Sequence, residues 1–350
     1  MDLMDFCRYP IIQAPMAGGA TTPQLVAAVS NGGGIGALAA PLLPPQAIAE
    51  QVDKIRALTS RPFIVNLFVL ATPQPADDEI RRAQELLRPL WEPLGWSELP
   101  LPAKWCEDFQ AQFDALIAAK PAMASFTFGI LTRSQVERLH QAGIYVIGTA
   151  TNVAEAQAWE TVGADAVCAQ GIEAGGHRGT FIGAQDEGLG TIALVPLLAD
   201  AVRIPVIAAG GIMDGRGIAA ALALGAQAVQ MGTAFLATDE SGIHPLYKER
   251  LLQASHAPAR AVTRLTRAFS GRYARGLVNR FMDVMQPAES QVPAYPVQNA
   301  LTGTLRAQAA KLNETELMSL WAGQGVAMVR AMPAARLLET LVAEWLQASI

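Results

Sequence analysis

Short, almost uninterrupted apolar runs alternate along this chain with stretches whose apolar residues recur every three or four positions. Runs of the first kind read as strands buried on both faces, and stretches of the second as helices with one buried face. The runs fall at 10–16, 34–39, 62–69, 122–129, 145–150, 166–170, 205–211 and 228–233, and the helical stretches at 22–30, 45–58, 107–119, 132–142, 152–162, 192–202 and 215–224. Thr22 followed by Pro23 is a typical helix start, a hydroxyl at the cap and a proline just inside. Strands that alternate with helices and carry no polar face predict a parallel sheet covered on both sides. Eight such units predict a (β/α)8 TIM barrel, with an open doubly wound sheet as the alternative.

The rhythm breaks twice. Residues 71–108 are rich in proline and tryptophan and read as an insertion, helical near 78–87. Residues 239–310 are loop-rich and locally basic, with Arg260, Arg264, Arg267, Arg272, Arg275 and Arg280, a run that reads more as a solvated face than as an anion site. Residues 314–349 read as two terminal helices. The expected organisation is a barrel over 1–238 with its insertion at 71–108, a smaller, mostly helical and loop substrate-capping region over 239–310, and C-terminal helices over 311–350 that pack back on the barrel.

Composition narrows the function classes. With 350 residues, 51% of them hydrophobic, the chain can bury a large core. A net charge of −5 with only 16% charged residues argues against nucleic acid as a partner. Cys7, Cys106 and Cys168 are too few and too scattered for a disulfide framework or a zinc site, so no metal is expected. No apolar run reaches the ~18 residues of a membrane span. The N-terminal segment lacks the basic and apolar regions of a signal peptide, so a cytoplasmic location without membrane contact is expected. The positive mean hydropathy is compatible with an apolar face between copies, as in a homodimer.

The chemistry gathers where strands end. In a (β/α)8 barrel the active site lies at the C-terminal ends of the strands. There the chain places Ala14 and Met16, Asn66, Ser125, the segment Gln170 to Phe181, Gly210 and Gly211, and Gln230, Met231, Gly232 and Thr233. The segment after the sixth run, Gln170-Gly-Ile-Glu-Ala-Gly-Gly-His-Arg-Gly-Thr-Phe181, is the densest cluster. Gly175 and Gly176 let backbone approach a bound molecule, and His177 can move a proton near neutral pH. Glu173 reads as an organiser of the loop, and Arg178 as facing either the pocket or solvent. The glycines and Thr233 after strands seven and eight suit a phosphate, and no Walker-type lysine follows them. A phosphate-tailed cofactor, FMN, fits best, with Asn66 and Gln170 either bonding its ring or satisfying nearby backbone. His177 could act protonated, stabilising an anion, or neutral, as a base.

These residues resemble those of the nitronate monooxygenase family, formerly called 2-nitropropane dioxygenases, and its bacterial class I branch in particular. The resemblance is carried by Ile12-Gln-Ala-Pro-Met-Ala-Gly18, Asn31 to Ala39, Gln170 to Gly179, Ala208 to Gly215, Gln230-Met-Gly-Thr233 and Tyr295 to Thr302. It implies FMN held by Asn66, Gln170, Gly175, Gly211 and residues 230–233, with His177 as the catalytic histidine. It implies alkyl nitronates, propionate 3-nitronate among them, and O2 as substrates, and a carbonyl compound and nitrite as products. Of the tyrosines that line the substrate pocket in that branch, Tyr295 matches one. Phe109 stands where another is usual and Asn299 where a third is. Two other readings remain open: an NAD(P)H-dependent quinone or enoyl-thioester reductase on the same barrel, and a non-catalytic flavin- or anion-binding barrel.

Overall fold

A computed structural model describes residues 2–349. Eight strands form one parallel sheet: β1 (Ile11–Gln13), β2 (Gly36–Ala39), β3 (Phe63–Phe68), β4 (Met123–Thr127), β5 (Tyr145–Ala150), β6 (Ala166–Gln170), β8 (Val206–Ala209) and β9 (Ala228–Met231). Their spatial order is β1-β9-β8-β6-β5-β4-β3-β2. A parallel bridge between Ile12 and Ile35 joins the two ends, so the sheet closes as a (β/α)8 barrel. Along the chain, the two-residue β7 (Gly176–His177) comes between β6 and β8, which pair directly, and belongs to a different sheet.

One side chain extends the closure beyond that bridge. Gln13 is fully buried at the end of β1, and its Oε1 accepts the Ala37 N–H at 3.0 Å while its Nε2 donates to the Ala37 carbonyl at 3.3 Å. An amide thus stands in for backbone where β1 and β2 diverge, and neither main-chain group of Ala37 is left orphaned. Inside the barrel, Ile12, Ile35, Ile64, Met123, Ile147 and Ile207 pack in a separate apolar cluster, closed at the base by Leu3.

The outer helices are α1 (Pro23–Asn31), α2 (Pro45–Leu58), α5 (Phe109–Ala119), α6 (Arg133–Gln141), α7 (Val153–Val162), α8 (Thr191–Ala201) and α9 (Gly215–Ala223), and between α2 and α5 lie α3 (Asp77–Leu86) and α4 (Arg88–Trp91) of the insertion. Their starts follow local chemistry. Thr22 caps α1 through the Leu25 N–H at 3.1 Å, and Thr132 and Gln135 form a reciprocal capping box on α6. After β9 come α10 (Thr233–Leu236), α11 (Pro245–His256), the antiparallel strands β10 (Thr263–Thr266) and β11 (Ala274–Leu277), α12 (Arg280–Met285), α13 (Val297–Lys311) and α14 (Ala334–Ala348). α14 packs between α1 and α9 so tightly that a Cβ on Gly215 would lie 2.2 Å from the Glu344 backbone.

The C-terminal part differs from expectation in three ways. The region read as loop-rich contains the long helix α13 and a hairpin. The segment read as two terminal helices has a single α-helix, α14, preceded by 3-10 turns at Thr315–Leu317 and Gln324–Met328. The arginine run is not a solvated face: Arg272 and Arg275 are buried, and Arg264 pairs with Asp283 at 2.9 Å, while the side chain of Arg260 lies outside the described residues.

Gln13→Leu keeps the volume but removes both bonds to Ala37. A stability loss of about 1–3 kcal/mol is expected from the unpaired groups, read as a lowered denaturant midpoint. An unshifted midpoint would show that the barrel closes without the amide.

Candidate active site

The segment that follows β6 folds back over the barrel mouth, and charged side chains, most of them buried, bond the backbone in it and beside it. At its far end the Glu155 carboxylate, fully buried, accepts from the N–H groups of Thr151 (2.6 Å) and Ile182 (2.8 Å). At its near end Glu173 accepts from the N–H and hydroxyl of Thr191 at 2.8 and 2.9 Å. Arg178, with no exposed surface, donates to the carbonyls of Gly171 (2.7 Å) and Gln170 (3.1 Å). From β11 and the turn before it, Arg272 donates to the carbonyls of Arg178 (2.8 Å) and Thr180, and Arg275 to that of Ile172 (3.1 Å). The same strand pairs antiparallel with β7, setting His177 opposite Ala274 and Gly176 opposite Arg275.

Gln170 belongs to this clamp. Its Nε2 donates to the His177 carbonyl at 2.9 Å and its Oε1 accepts the Gly179 N–H at 2.8 Å. Of the two roles open to it, it performs the backbone one. Asn66 differs: its Nδ2 is used by the Ser125 carbonyl and hydroxyl at 3.1 and 3.0 Å, and its Oδ1 has no protein donor.

His177 is held over a cavity of about 420 Å3 that opens at the barrel mouth, a volume suited to a small-molecule site. Phe128, Tyr295 and Trp321 surround its ring, with centroids 5.5, 5.5 and 5.4 Å away. Its Nε2 lies 2.9 Å from Ser270 Oγ, which in turn lies 3.0 Å from the Arg272 carbonyl. A serine hydroxyl has one proton. If that proton goes to the carbonyl, the oxygen can accept Nε2–H, and both contacts are satisfied. The neutral imidazole then carries its proton on Nε2, and Nδ1 keeps a lone pair with no protein partner. Burial, with the charges of Arg272 and Arg306 added, pushes the imidazole down to about 3, so it is uncharged at neutral pH. Cys168, in the cavity floor, is pushed up to about 12 by burial and remains a thiol.

Opposite the histidine is a cradle of bare backbone. Gly210 and Gly211 are both at positive φ (+117° and +72°), a conformation that strongly favours glycine. Among the described residues the N–H groups of Gly211 and Gly232 find no protein acceptor. Gly323 and Gly325 of the late 3-10 segment complete the cradle, and the Gly323 N–H bonds Thr233 Oγ1 at 3.0 Å.

Nearly all the expected residues meet around this one cavity: Ala14, Met16, Asn66, Ser125, Gln170, Gly175, Gly176, His177, Gly210, Gly211, Gln230, Met231, Gly232, Thr233, Tyr295 and Asn299 all line it. Phe109 does not. It opens α5 and packs against Phe113, 5.8 Å between centroids. Arg178 faces neither pocket nor solvent. His244, which carried no signal, caps α11 and lines the cavity. Sequence reasoning missed Glu155, Ser270, Arg306, Phe128, Trp321, Gly323 and Gly325. Of these, only the Gly323-Gln-Gly325 spacing carries a local signal. Among the described residues there is no cluster suited to a metal ion and no helix long and apolar enough to cross a membrane.

Comparison with known proteins agrees on one family. The family model described as nitronate monooxygenase matches residues 2–344. A probable nitronate monooxygenase of Staphylococcus aureus (strain JH9) is 43% identical over 337 residues, 96% of this chain and 94% of that protein. The crystal structure of a nitroalkane oxidase from Streptomyces ansochromogenes superposes with a TM-score of 0.90 at 45% identity, covering 99% of this chain and 98% of that one. FabK from Thermotoga maritima is similar at TM-score 0.75 and 31% identity, over 97% and 94% of the two chains.

The depressed histidine has a signed consequence for stability. An ordinary imidazole titrates near pH 6.5, above the folded value, so as pH falls the unfolded chain takes up this proton first. The folded state therefore loses stability between about pH 6.5 and 3 through this group, and none above that window. In urea melts across that range, His177→Asn is expected to show a shallower fall than the parent, by up to one proton. Parallel slopes would mean that His177 titrates normally in the fold.

Proposed function

The chain belongs to the nitronate monooxygenase family, and from that premise we propose that it is an FMN enzyme that oxidises alkyl nitronates with O2 to a carbonyl compound and nitrite. The observation that carries the proposal is His177, bonded through Nε2 to Ser270 and ringed by aromatics, at a cavity that is also lined by a cradle of backbone donors without protein acceptors among the described residues.

The donors fit a phosphorylated flavin. The free N–H groups of Gly211 and Gly232 suit the phosphate, and the beginning of α10 faces the same place. Asn66 offers Oδ1 to a ring N–H, and the apolar floor at Ile147, Cys168 and Met231 suits an aromatic ring face. When bound, the flavin supplies an electron acceptor that oxygen can reoxidise.

The protein's own residues do the rest. Phe128, Tyr295 and Trp321 exclude water and hold a small substrate against the imidazole. With a nitroalkane, the proton of the carbon next to the nitro group passes to His177 Nδ1, and the Ser270 hydroxyl accepting from Nε2–H steadies the imidazolium that forms. With a nitronate that proton is already gone, and His177 only orients the substrate.

The test uses purified holoprotein. Anaerobic addition of propionate 3-nitronate or ethylnitronate is expected to bleach the flavin absorbance, and aerobic turnover to release nitrite. His177→Asn is expected to lose about 100-fold or more in kcat/KM on nitroethane, and much less on ethylnitronate. A flavin spectrum indifferent to both nitronates overturns the proposal, and rapid bleaching by NADH in that case would assign the protein to the reductases.

A further inference from the structure

A neutral histidine cannot balance the charge of a nitronate. Among the described residues lining the cavity, one side chain carries a permanent charge, that of Arg306 on α13. It is half-buried, and its surroundings differ from those of the buried arginines. Arg178, Arg272 and Arg275 donate to carbonyls of the His177 loop, and each has Glu155 or Glu173 near enough to act on it.

Arg306 has neither. Its Nη2 donates to the carbonyl and Oδ1 of Asn299, both at 2.9 Å, its Nε to Thr302 Oγ1 at 3.3 Å, and its Nη1 only weakly to Ser319 Oγ at 3.4 Å. No carboxylate of the described residues lies within 4.0 Å of it. Taking a guanidinium from water without a counter-charge is costly, and neutral oxygens offset that cost only in part. Burial lowers its pKa to about 10, which leaves it protonated at neutral pH. Its charge is felt by both His177 and Tyr295, so it acts on the space where the substrate sits.

We infer that Arg306 is the receptor for the negative charge of the substrate, and that it selects the anionic nitronate over the neutral nitroalkane. The charge missing around Arg306 is the one the ligand brings. His177 and Arg306 then divide two tasks: the imidazole takes a proton, and the guanidinium takes the anion. The inference rests on reading this cavity as the substrate site, but anion binding can be measured apart from turnover.

Two measurements decide it. The first compares kcat/KM for ethylnitronate and nitroethane in the parent, Arg306→Gln and Arg306→Lys. Losing a charge-assisted bond is worth about 10- to 100-fold, so the ratio of nitronate to nitroalkane efficiency is expected to fall by that factor in Arg306→Gln, mainly through KM, and to recover in large part in Arg306→Lys. The second titrates the holoprotein with nitrate, a planar anion of nitro-group geometry, following tryptophan fluorescence, to which Trp321 in the cavity wall contributes. Arg306→Gln is expected to weaken nitrate binding by about 10-fold or more. Parent protein that does not bind nitrate, or an Arg306→Gln protein that binds it equally well, overturns the inference, as does an unchanged substrate ratio. Should Arg306→Gln fail to fold, the parent titration and Arg306→Lys still decide. Nitrate binding that depends on Arg306 in a protein inert to nitronates would sink the proposed reaction and leave the anion receptor standing.

Discussion

The structure depends on the requirement that buried backbone be hydrogen-bonded. The segment from Gln170 to Ile182 leaves the barrel, crosses its mouth and returns without forming a helix or a full strand. Its carbonyls and N–H groups would be orphaned in a dry interface. Charged side chains hold it and its surroundings: Glu155 from α7, Arg178 and the half-buried Glu173 from the segment itself, and Arg272 and Arg275 from the capping hairpin, with Glu173 tying the segment to Thr191. Each is multiply bonded, the condition under which buried ions are tolerated. Removing any one would leave both an unpaired charge and unpaired backbone. This clamp fixes the position of the histidine more firmly than a surface loop could.

The same charges set the electrostatics of the site. Three buried arginines and the half-buried Arg306 face the buried Glu155 and the half-buried Glu173, so the cavity lies in a positive field. Burial first, and that field second, favour the uncharged imidazole and disfavour its cation. A resting imidazolium would stand alone against these surroundings, whereas under the proposed reaction the cation forms only together with the carbanion that gave up the proton. The imidazole then rests neutral, and the proposed anion receptor is a group of much higher intrinsic pKa, an arginine.

Much of the barrel and part of the site were legible in the sequence because both rest on local signals. Continuous apolar runs mark strands buried on both faces, and polar or glycine residues at their ends have no structural reason to recur at one rim. The rest was hidden because its causes are distant in the chain. Arg272 bonds carbonyls 94 and 92 residues away, and Arg275 one 103 residues away. From the sequence such arginines look like a solvated cluster. Glu155 looked like an ordinary residue of a helix first turn, and Gln13 like a strand end bound for the active site, while its amide is spent closing the barrel. Phe109 misled for the opposite reason, since matching a family position does not fix which way a side chain packs, and here the ring packs on Phe113.

Phe128 shows how the capping region completes the cavity. It is a non-glycine residue in the left-handed region (φ +78°), buried at the end of β4. That conformation costs about 1–2 kcal/mol and persists only where surrounding contacts outweigh it. The contacts come from both parts of the molecule. Phe68 of the barrel lies 4.0 Å away between centroids, and the Arg272 guanidinium of the cap lies 4.2 Å over the ring. Arg272 therefore has two partners at once, the carbonyls of the His177 loop and the face of Phe128, and it draws the histidine and one aromatic wall toward the same point. Tyr295 and Trp321, which form the other walls, also come from the capping segments. The cavity is thus built from both parts: Gly210, Gly211, Gly232 and Phe128 come from the barrel, and Tyr295, Arg306, Trp321, Gly323 and Gly325 from the segments after it. No one of these parts lines the cavity alone, which is why the chemistry gathered at the strand ends accounts for only part of its wall.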